Sequence, residues 1–242
     1  MDQSRMPLPC NGCAGRHGTI CGAFDNGDIA ALFGLVQPGR FRAGSWIIEQ
    51  RQPADRGFLL STGYVLVMRL TAQGKRQVIA FLFPGDFFAF SAEPSYQYGA
   101  LAISDVTACL LSHRQLDALL DSHKGAGNRV RRNMARLLDS HAELVFTLGR
   151  KQALEKVAAF IWYLHYKHQK LGHTDKDCPV PMTRGDIADF LGLTGESVSR
   201  AITALRAQGV IDLPEPHRIR VCDAARLRAI GMVESGLAAG SA

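Results

Sequence analysis

Three of the chain's six cysteines, Cys10, Cys13 and Cys21, fall in the glycine-rich stretch "CNGCAGRHGTIC" near its start. Glycines and charged residues surround them, so these thiols are not expected to serve as small hydrophobes in a core. A sulfur that loses its proton is a soft ligand, and cysteines two residues apart can grip neighbouring metal atoms. The compartment decides how such thiols are used. The opening "MDQSRMPLPC" has no apolar run of the kind a secretory signal needs. No stretch reaches the ~18 consecutive apolar residues of a membrane span. The chain is therefore expected in the cytoplasm, without a membrane partner. Thiols there stay reduced, and clustered cysteines serve metals or redox sensing rather than structural disulfides.

A second set of chemically active side chains lies in "MTRGDIADFLGLTGESVSRAITALRAQGVI". Thr183 and Asp186 predict a capped helix start. That helix runs through Phe190 and Leu191 to Gly192, which can turn the chain. Thr194 predicts the cap of a second helix reaching about Gln208. Two short helices joined by a glycine-bearing turn form a helix-turn-helix. On the second helix Val198, Ala201, Ile202 and Leu205 make one apolar face. Glu196, Ser199, Arg200 and Thr203 recur at i, i+3, i+4 and i+7 on the other. A carboxylate, a hydroxyl and a guanidinium near a helix N-terminus suit base edges in the major groove of double-stranded DNA. There arginine pairs with guanine and glutamate with cytosine. Thr183, Arg184, Thr194 and Ser197 at the two helix starts complete the expected DNA surface. "VIDLPEPHRIRV" reads as a β-hairpin that offers Arg218 and Arg220 to phosphates. The net charge of +6 suits a polyanionic partner.

These residues need elements to position them. From about residue 39, "RFRAGSWIIEQ", "RGFLLSTGYVLVMRL", "KRQVIAFLFPGDFFAF" and "YGALAISDVTACLLS" are rich in β-branched and aromatic residues. Glycine- or proline-bearing turns separate them, which predicts an antiparallel barrel or roll. "NRVRRNMARLLDSHAELVFTLG" then spaces Val130, Met134, Leu137, His141, Leu144 and Leu148 by alternating fours and threes. This is a heptad seam that Leu138 and Val145 widen. It predicts a long helix paired with a second copy of the chain; the competing reading is a core helix of the monomer. Gly149 predicts its end or a bend. A further helix follows in "KQALEKVAAFIWYLHYKHQKLG", with Leu154, Val157, Ala158, Ile161 and Leu164 inward. The expected class is α+β. It comprises a cysteine-bearing segment (1–24), a β-roll sensor domain (25–123), a dimerisation helix (124–149) and a winged helix-turn-helix (150–242). Cys178 is expected in a loop and Cys222 at a strand end, both unliganded.

This order of elements resembles the superfamily of the cyclic-AMP receptor protein and the fumarate–nitrate reductase regulator, over about residues 25–225. "MTRGDIADFLGLTGESVSR" is the most specific part. Glu196, Ser199 and Arg200 match the E-x-x-S-R pattern of the oxygen-responsive branch. The resemblance implies a homodimer that reads TTGA-type half-sites in an inverted repeat. Gly195 stands where that branch carries Val or Pro, which would loosen the helix start. The resemblance also implies a fourth thiolate, Cys109 in "SDVTACLLSH". Cys10, Cys13, Cys21 and Cys109 would then hold the iron of a [4Fe-4S] cluster, intact at low oxygen and favouring the paired form. The C-x2-C-x7-C spacing, with Arg16 and His17 in the gap, resembles one variant of that family. "FPGDFFAF" is implied to contact RNA polymerase, against the reading of Phe83, Phe87 and Phe88 as core. No cyclic AMP is expected. Tyr98, Gly99 and Ala100 stand where the family's nucleotide binders carry an Arg-Ser pair, and a phosphate buried without a cation is costly to desolvate.

Ligand type alone leaves structural zinc open, since four cysteines suit it equally. Metal-free thiol sensing and vestigial cysteines also remain open, and the regulatory context implied by the resemblance favours the cluster. The alternative function is a regulator of the same superfamily that senses haem, nitric oxide, a small ligand or thiol redox state without a cluster. An enzyme is not expected, because the chain has no P-loop, G-x-S-x-G elbow or H-E-x-x-H motif.

Overall fold

The computed structural model describes residues 13–17, 20–26, 28–89 and 91–233. Two compact units are present, and their boundary falls within one helix, between Ala135 and Arg136.

The first unit begins with two 3₁₀ turns, Ala14–His17 and Cys21–Ala23, and a short helix α1 (Ile29–Phe33). Strands follow in the order β1 (Gln37–Phe41), β2 (Trp46–Ile48), β3 (Arg56–Thr62), β4 (Val65–Leu70), β5 (Arg76–Leu82), β6 (Phe87–Phe88), β7 (Gly99–Ala102) and β8 (Val106–Ser112). They make two four-stranded sheets, ordered β1-β8-β3-β6 and β2-β7-β4-β5. Strand β8 runs antiparallel to both β1 and β3. The two sheets share a core in which Phe58 and Phe88 stack with ring centroids 5.2 Å apart. This is the expected roll. Helix α2 (His113–Ser122) starts where the Ser112 hydroxyl accepts from the Gln115 N–H, and α3 (Lys124–Arg150) follows it. A second core joins Ile20, Ala23 and Phe24 to Leu116 and Leu119 of α2 and to Ala126 and Val130 of α3. Each such residue, fully buried, stabilises the fold by about 1.5–3 kcal/mol, less for the alanines.

Gly149 does not end α3, which continues through Arg150. The break is set one step later, where the Glu155 carboxylate accepts from the Gln152 N–H at 2.7 Å and starts α4 (Ala153–Lys170). The second unit continues with β9 (Asp177–Pro179), α5 (Arg184–Leu191), α6 (Gly195–Ala207), β10 (Ile211–Asp212), β11 (Arg218–Val221) and α7 (Ala224–Ile230). Its sheet is ordered β10-β11-β9, and α4 packs against α6 and α7. Val157, Ile161, Leu164, Ile187, Leu191, Val198 and Leu205 form its buried centre. Among the described residues no helix is long and apolar enough to cross a membrane.

Candidate nucleic-acid interface and cysteine site

Helix α5 opens on a reciprocal cap. The Thr183 hydroxyl accepts from the Asp186 N–H at 3.1 Å, and the Asp186 carboxylate accepts from the Thr183 N–H at 2.9 Å. The helix closes on Gly192 at φ 62° and ψ 44°, a left-handed conformation that a Cβ would disfavour. Two residues later the Thr194 hydroxyl accepts from the Ser197 N–H at 3.1 Å and starts α6. Gly195 is therefore the first residue of a capped turn.

The two faces of α6 separate as their spacing requires. Val198, Ala201, Ile202 and Leu205 are buried, whereas Glu196, Ser199, Arg200 and Thr203 are exposed. Arg200 and Glu196 form an ion pair at 2.5 Å, with their side chains 79% and 71% exposed. The Ser199 hydroxyl donates to the Gly195 carbonyl at 2.9 Å and that of Thr203 to the Ser199 carbonyl at 3.0 Å. In the unbound chain these polar groups satisfy one another along the helix.

The two arginines of the wing differ in their partners. Arg220 lies directly across from Asp177 and donates two bonds to its carboxylate, at 2.6 and 2.8 Å. That pairing leaves its side chain 45% exposed. Arg218 is half-buried and, with Thr183 and Arg184, lines a cleft of about 450 Å³ walled by Pro214, Pro216 and His217. Burial pulls the Arg184 guanidinium below its ordinary pKa. A cation that has lost part of its water gains from an anion brought into the same cleft.

Cys10 lies outside the described residues. Cys13 precedes the first 3₁₀ turn and lies within electrostatic reach of Cys109 on β8. Burial pushes the Cys109 thiol up; the Ser61 hydroxyl at 4.0 Å opposes this, and the neighbouring Cys13 adds to it. A Cβ on Gly15 would lie 3.3 Å from the Cys13 sulfur, so glycine there leaves space beside it. Arg16 ties the segment together. Its backbone N–H donates to the Cys13 carbonyl at 3.0 Å, and its guanidinium donates to the Cys21 carbonyl at 2.7 Å and to Asn26 at 2.9 Å. Cys21 and Cys109 pack against the same core. Among the described residues no three His, Cys, Asp or Glu side chains are grouped as a metal site. The juxtaposition found is Cys13 with Cys109.

On α3, Leu138 and Val145 are 71% and 70% exposed in the single chain, and Leu137 and Phe146 are also exposed. Leu144 and Leu148 are half-buried. His141 is exposed, with its Nδ1 2.7 Å from the Leu137 carbonyl. Val130 is buried in the core of the first unit, and Met134 packs beside it. The exposed stripe therefore starts later than the heptad spacing suggests, and it includes Phe146, which the seam did not name.

Elsewhere, Phe83 and Phe88 are buried in the roll, so these two are core. Gly99 and Ala100 are buried in β7. Cys178 is not in a loop but in β9, 1% exposed, its sulfur 3.5 Å from His165 Nδ1. Cys222 is exposed just after β11, as expected.

A β-roll, a long helix with an exposed apolar stripe, and a winged helix-turn-helix define a DNA-binding transcription regulator rather than an enzyme. A cyclic nucleotide-binding domain model matches residues 38–123, and a Crp-like helix-turn-helix domain model matches residues 155–230. The chain is 32% identical over 218 residues to the transcriptional activatory protein AadR of Rhodopseudomonas palustris, covering 90% of this chain and 91% of that protein. It is 29% identical over 222 residues to the transcriptional activator protein FnrL of Cereibacter sphaeroides, covering 90% of each. Among solved structures, FixK2 from Bradyrhizobium japonicum is similar with a TM-score of 0.75 and 29% identity, covering 83% of this chain and 99% of that one. The chain belongs to the CRP/FNR superfamily of transcription regulators.

Proposed function

We propose that this chain is an oxygen-responsive regulator that pairs with a second copy of itself at low oxygen and binds TTGA-type inverted repeats. Cys10, Cys13, Cys21 and Cys109 would hold a [4Fe-4S] cluster. The observation that carries this reading is the approach of Cys13 to Cys109. Burial and the neighbouring Cys13 both hold the Cys109 thiol above its ordinary value, and a cationic iron centre would relieve that. A space beside the Cys13 sulfur and a soft donor set fit such a group. When bound, the cluster supplies a link that oxygen breaks.

The chain's own residues do the rest. Arg16 holds the Cys13 and Cys21 backbones in one loop. Ile20, Ala23 and Phe24, which flank Cys21, pack against Ala126 and Val130, and Arg129 of α3 donates to the Ala23 carbonyl. The cysteine segment thereby props the first turns of α3. Leu137, Leu138, Val145 and Phe146 then pair with their copies. The two α6 helices present Glu196, Ser199 and Arg200 to bases about one DNA turn apart. Thr183, Arg184, Thr194, Ser197 and Arg218 meet the backbone, with phosphate entering the cleft beside Arg184. RNA polymerase is the further partner that activation requires.

Metal analysis of strictly anaerobic preparations tests the proposal. Iron and sulfide are expected at about four each per chain, with broad visible absorption that bleaches in air. Cys109→Ala is expected to lose the iron and the pairing together. Colourless, iron-free preparations that still pair and bind the operator would overturn it. An air-induced disulfide between Cys13 and Cys109 in such preparations would favour the thiol-redox reading, which the same proximity supports. A sharp haem absorption band would favour the haem reading.

A further inference from the structure

We propose that Lys156 is a positioning residue for DNA reading: its buried ammonium holds the end of α5 and so sets the pose of α6. Lysine is seldom buried without a partner, yet Lys156 on α4 is only 9% exposed. Its Nζ donates to the Leu191 carbonyl at 3.2 Å in buried surroundings. Leu191 is the last residue of α5 and is itself 1% exposed. A helix C-terminus leaves carbonyls without intrahelical donors and carries partial negative charge. The N–H groups of Gly192 and Leu193 both turn back to the Ala188 carbonyl. The Leu191 carbonyl is met by Lys156 instead. A methionine would fill similar space, so packing alone does not explain a cation here.

Only Gly192 and Leu193 separate this carbonyl from the Thr194 cap of α6. A tilt at the end of α5 therefore passes into α6 with little slack. Helix α4 also packs directly on α6, so one element fixes both ends of the turn. Base reading depends on that pose, because two-bond recognition of a base tolerates little displacement. Phosphate contacts from flexible cations do not share that demand and carry no sequence information.

This inference rests on the assignment of α6 as the reading helix. The test uses the full chain, a duplex with two inverted TTGA half-sites one helical turn apart, and a scrambled duplex of equal length, at one salt concentration. Lys156→Met is expected to bind the scrambled duplex as the wild type does. On the TTGA duplex it is expected to lose roughly tenfold or more in affinity, with Lys156→Arg recovering most of the loss. Equal discrimination by Lys156→Met and wild type would overturn the proposal. So would equal losses on both duplexes that Lys156→Arg does not repair. Should Lys156→Met fail to fold, Lys156→Leu, which likewise lacks a donor, carries the same comparison. A wild type that ignores TTGA refutes the proposed operator instead, and a duplex selected from a random pool then decides Lys156.

Discussion

Arg200 and Glu196 sit one turn apart on α6 and pair in nearly full solvent. An exposed i,i+4 pair of this kind adds only about 0.3–0.5 kcal/mol to a helix. Its removal should leave the fold almost untouched. A guanidinium placed against guanine is worth about 1–3 kcal/mol of discrimination. Arg200→Ala is therefore expected to melt within a degree or two of the wild type. In a titration of the TTGA duplex it should lose roughly ten- to a hundredfold in affinity, with binding to scrambled DNA much less affected. An unchanged affinity for the TTGA duplex would remove Arg200 from the interface. The arginines of the wing show what residue types alone cannot tell. Arg218 and Arg220 look equivalent in the sequence, but the register of β11 on β9 sets Arg220 opposite Asp177 and leaves Arg218 on the cleft. That register is a long-range pairing, and no local pattern announces it.

At the scale of elements, the helix-turn-helix was legible because its signals are local. Caps at Thr183 and Thr194, a turn at Gly192 and two faces three and four residues apart all lie within one short stretch. Helix α3 was legible in kind but not in detail. Val130 has the spacing of a seam residue, yet it is buried by Ile20 and Phe24 from more than a hundred residues earlier in the chain. Gly149 lowers helix propensity by only about 1 kcal/mol, which a helix of 27 residues tolerates. The Gln152–Glu155 cap decides the break instead. Cys178 was misplaced because β9 is three residues long and gains its burial from β11 and α4. Where the seam does stay exposed, pairing can be tested. Leu138 is 71% exposed in the single chain and has little burial to lose, so Leu138→Glu should fold normally. In the pair it would set two carboxylates in an apolar contact. Sedimentation of anaerobic protein is expected to show a monomer with wild-type secondary structure. A Leu138→Glu protein that remains dimeric would place the pairing surface elsewhere.

At the scale of the whole molecule, pH acts on stability through groups whose folded environment shifts them, and the winged unit carries such groups shifted in both directions. Burial holds His165 below the ordinary histidine value. Asp175 is held below the usual carboxylate range by its hydrogen bond to His168, and Asp177 by its bonds to Arg220. Burial pushes the Cys178 thiol up to about 12. For the first three, the unfolded chain takes up protons that the folded unit resists. Stability therefore falls as pH drops below about 6.5 for the histidine and below about 4 for the aspartates. Cys178 works in the other direction. Its unfolded thiol ionises above about 8.5 while the folded one cannot, so stability is present below that value and falls as pH rises toward 12. The winged unit should accordingly be most stable between about pH 6.5 and 8.5. Trp162, whose ring lies 6.0 Å from His165, reports on this unit. A Trp46→Phe background leaves it as the sole tryptophan. Its thermal transition is expected to move down on both sides of the plateau. On the alkaline side, the thiol contributes a loss of about 1.4 kcal/mol per pH unit above 8.5. Cys178→Ala should remove the alkaline arm and keep the acid one. An alkaline slope that survives in Cys178→Ala would mean that another buried group, and not this thiol, resists ionisation in the folded unit.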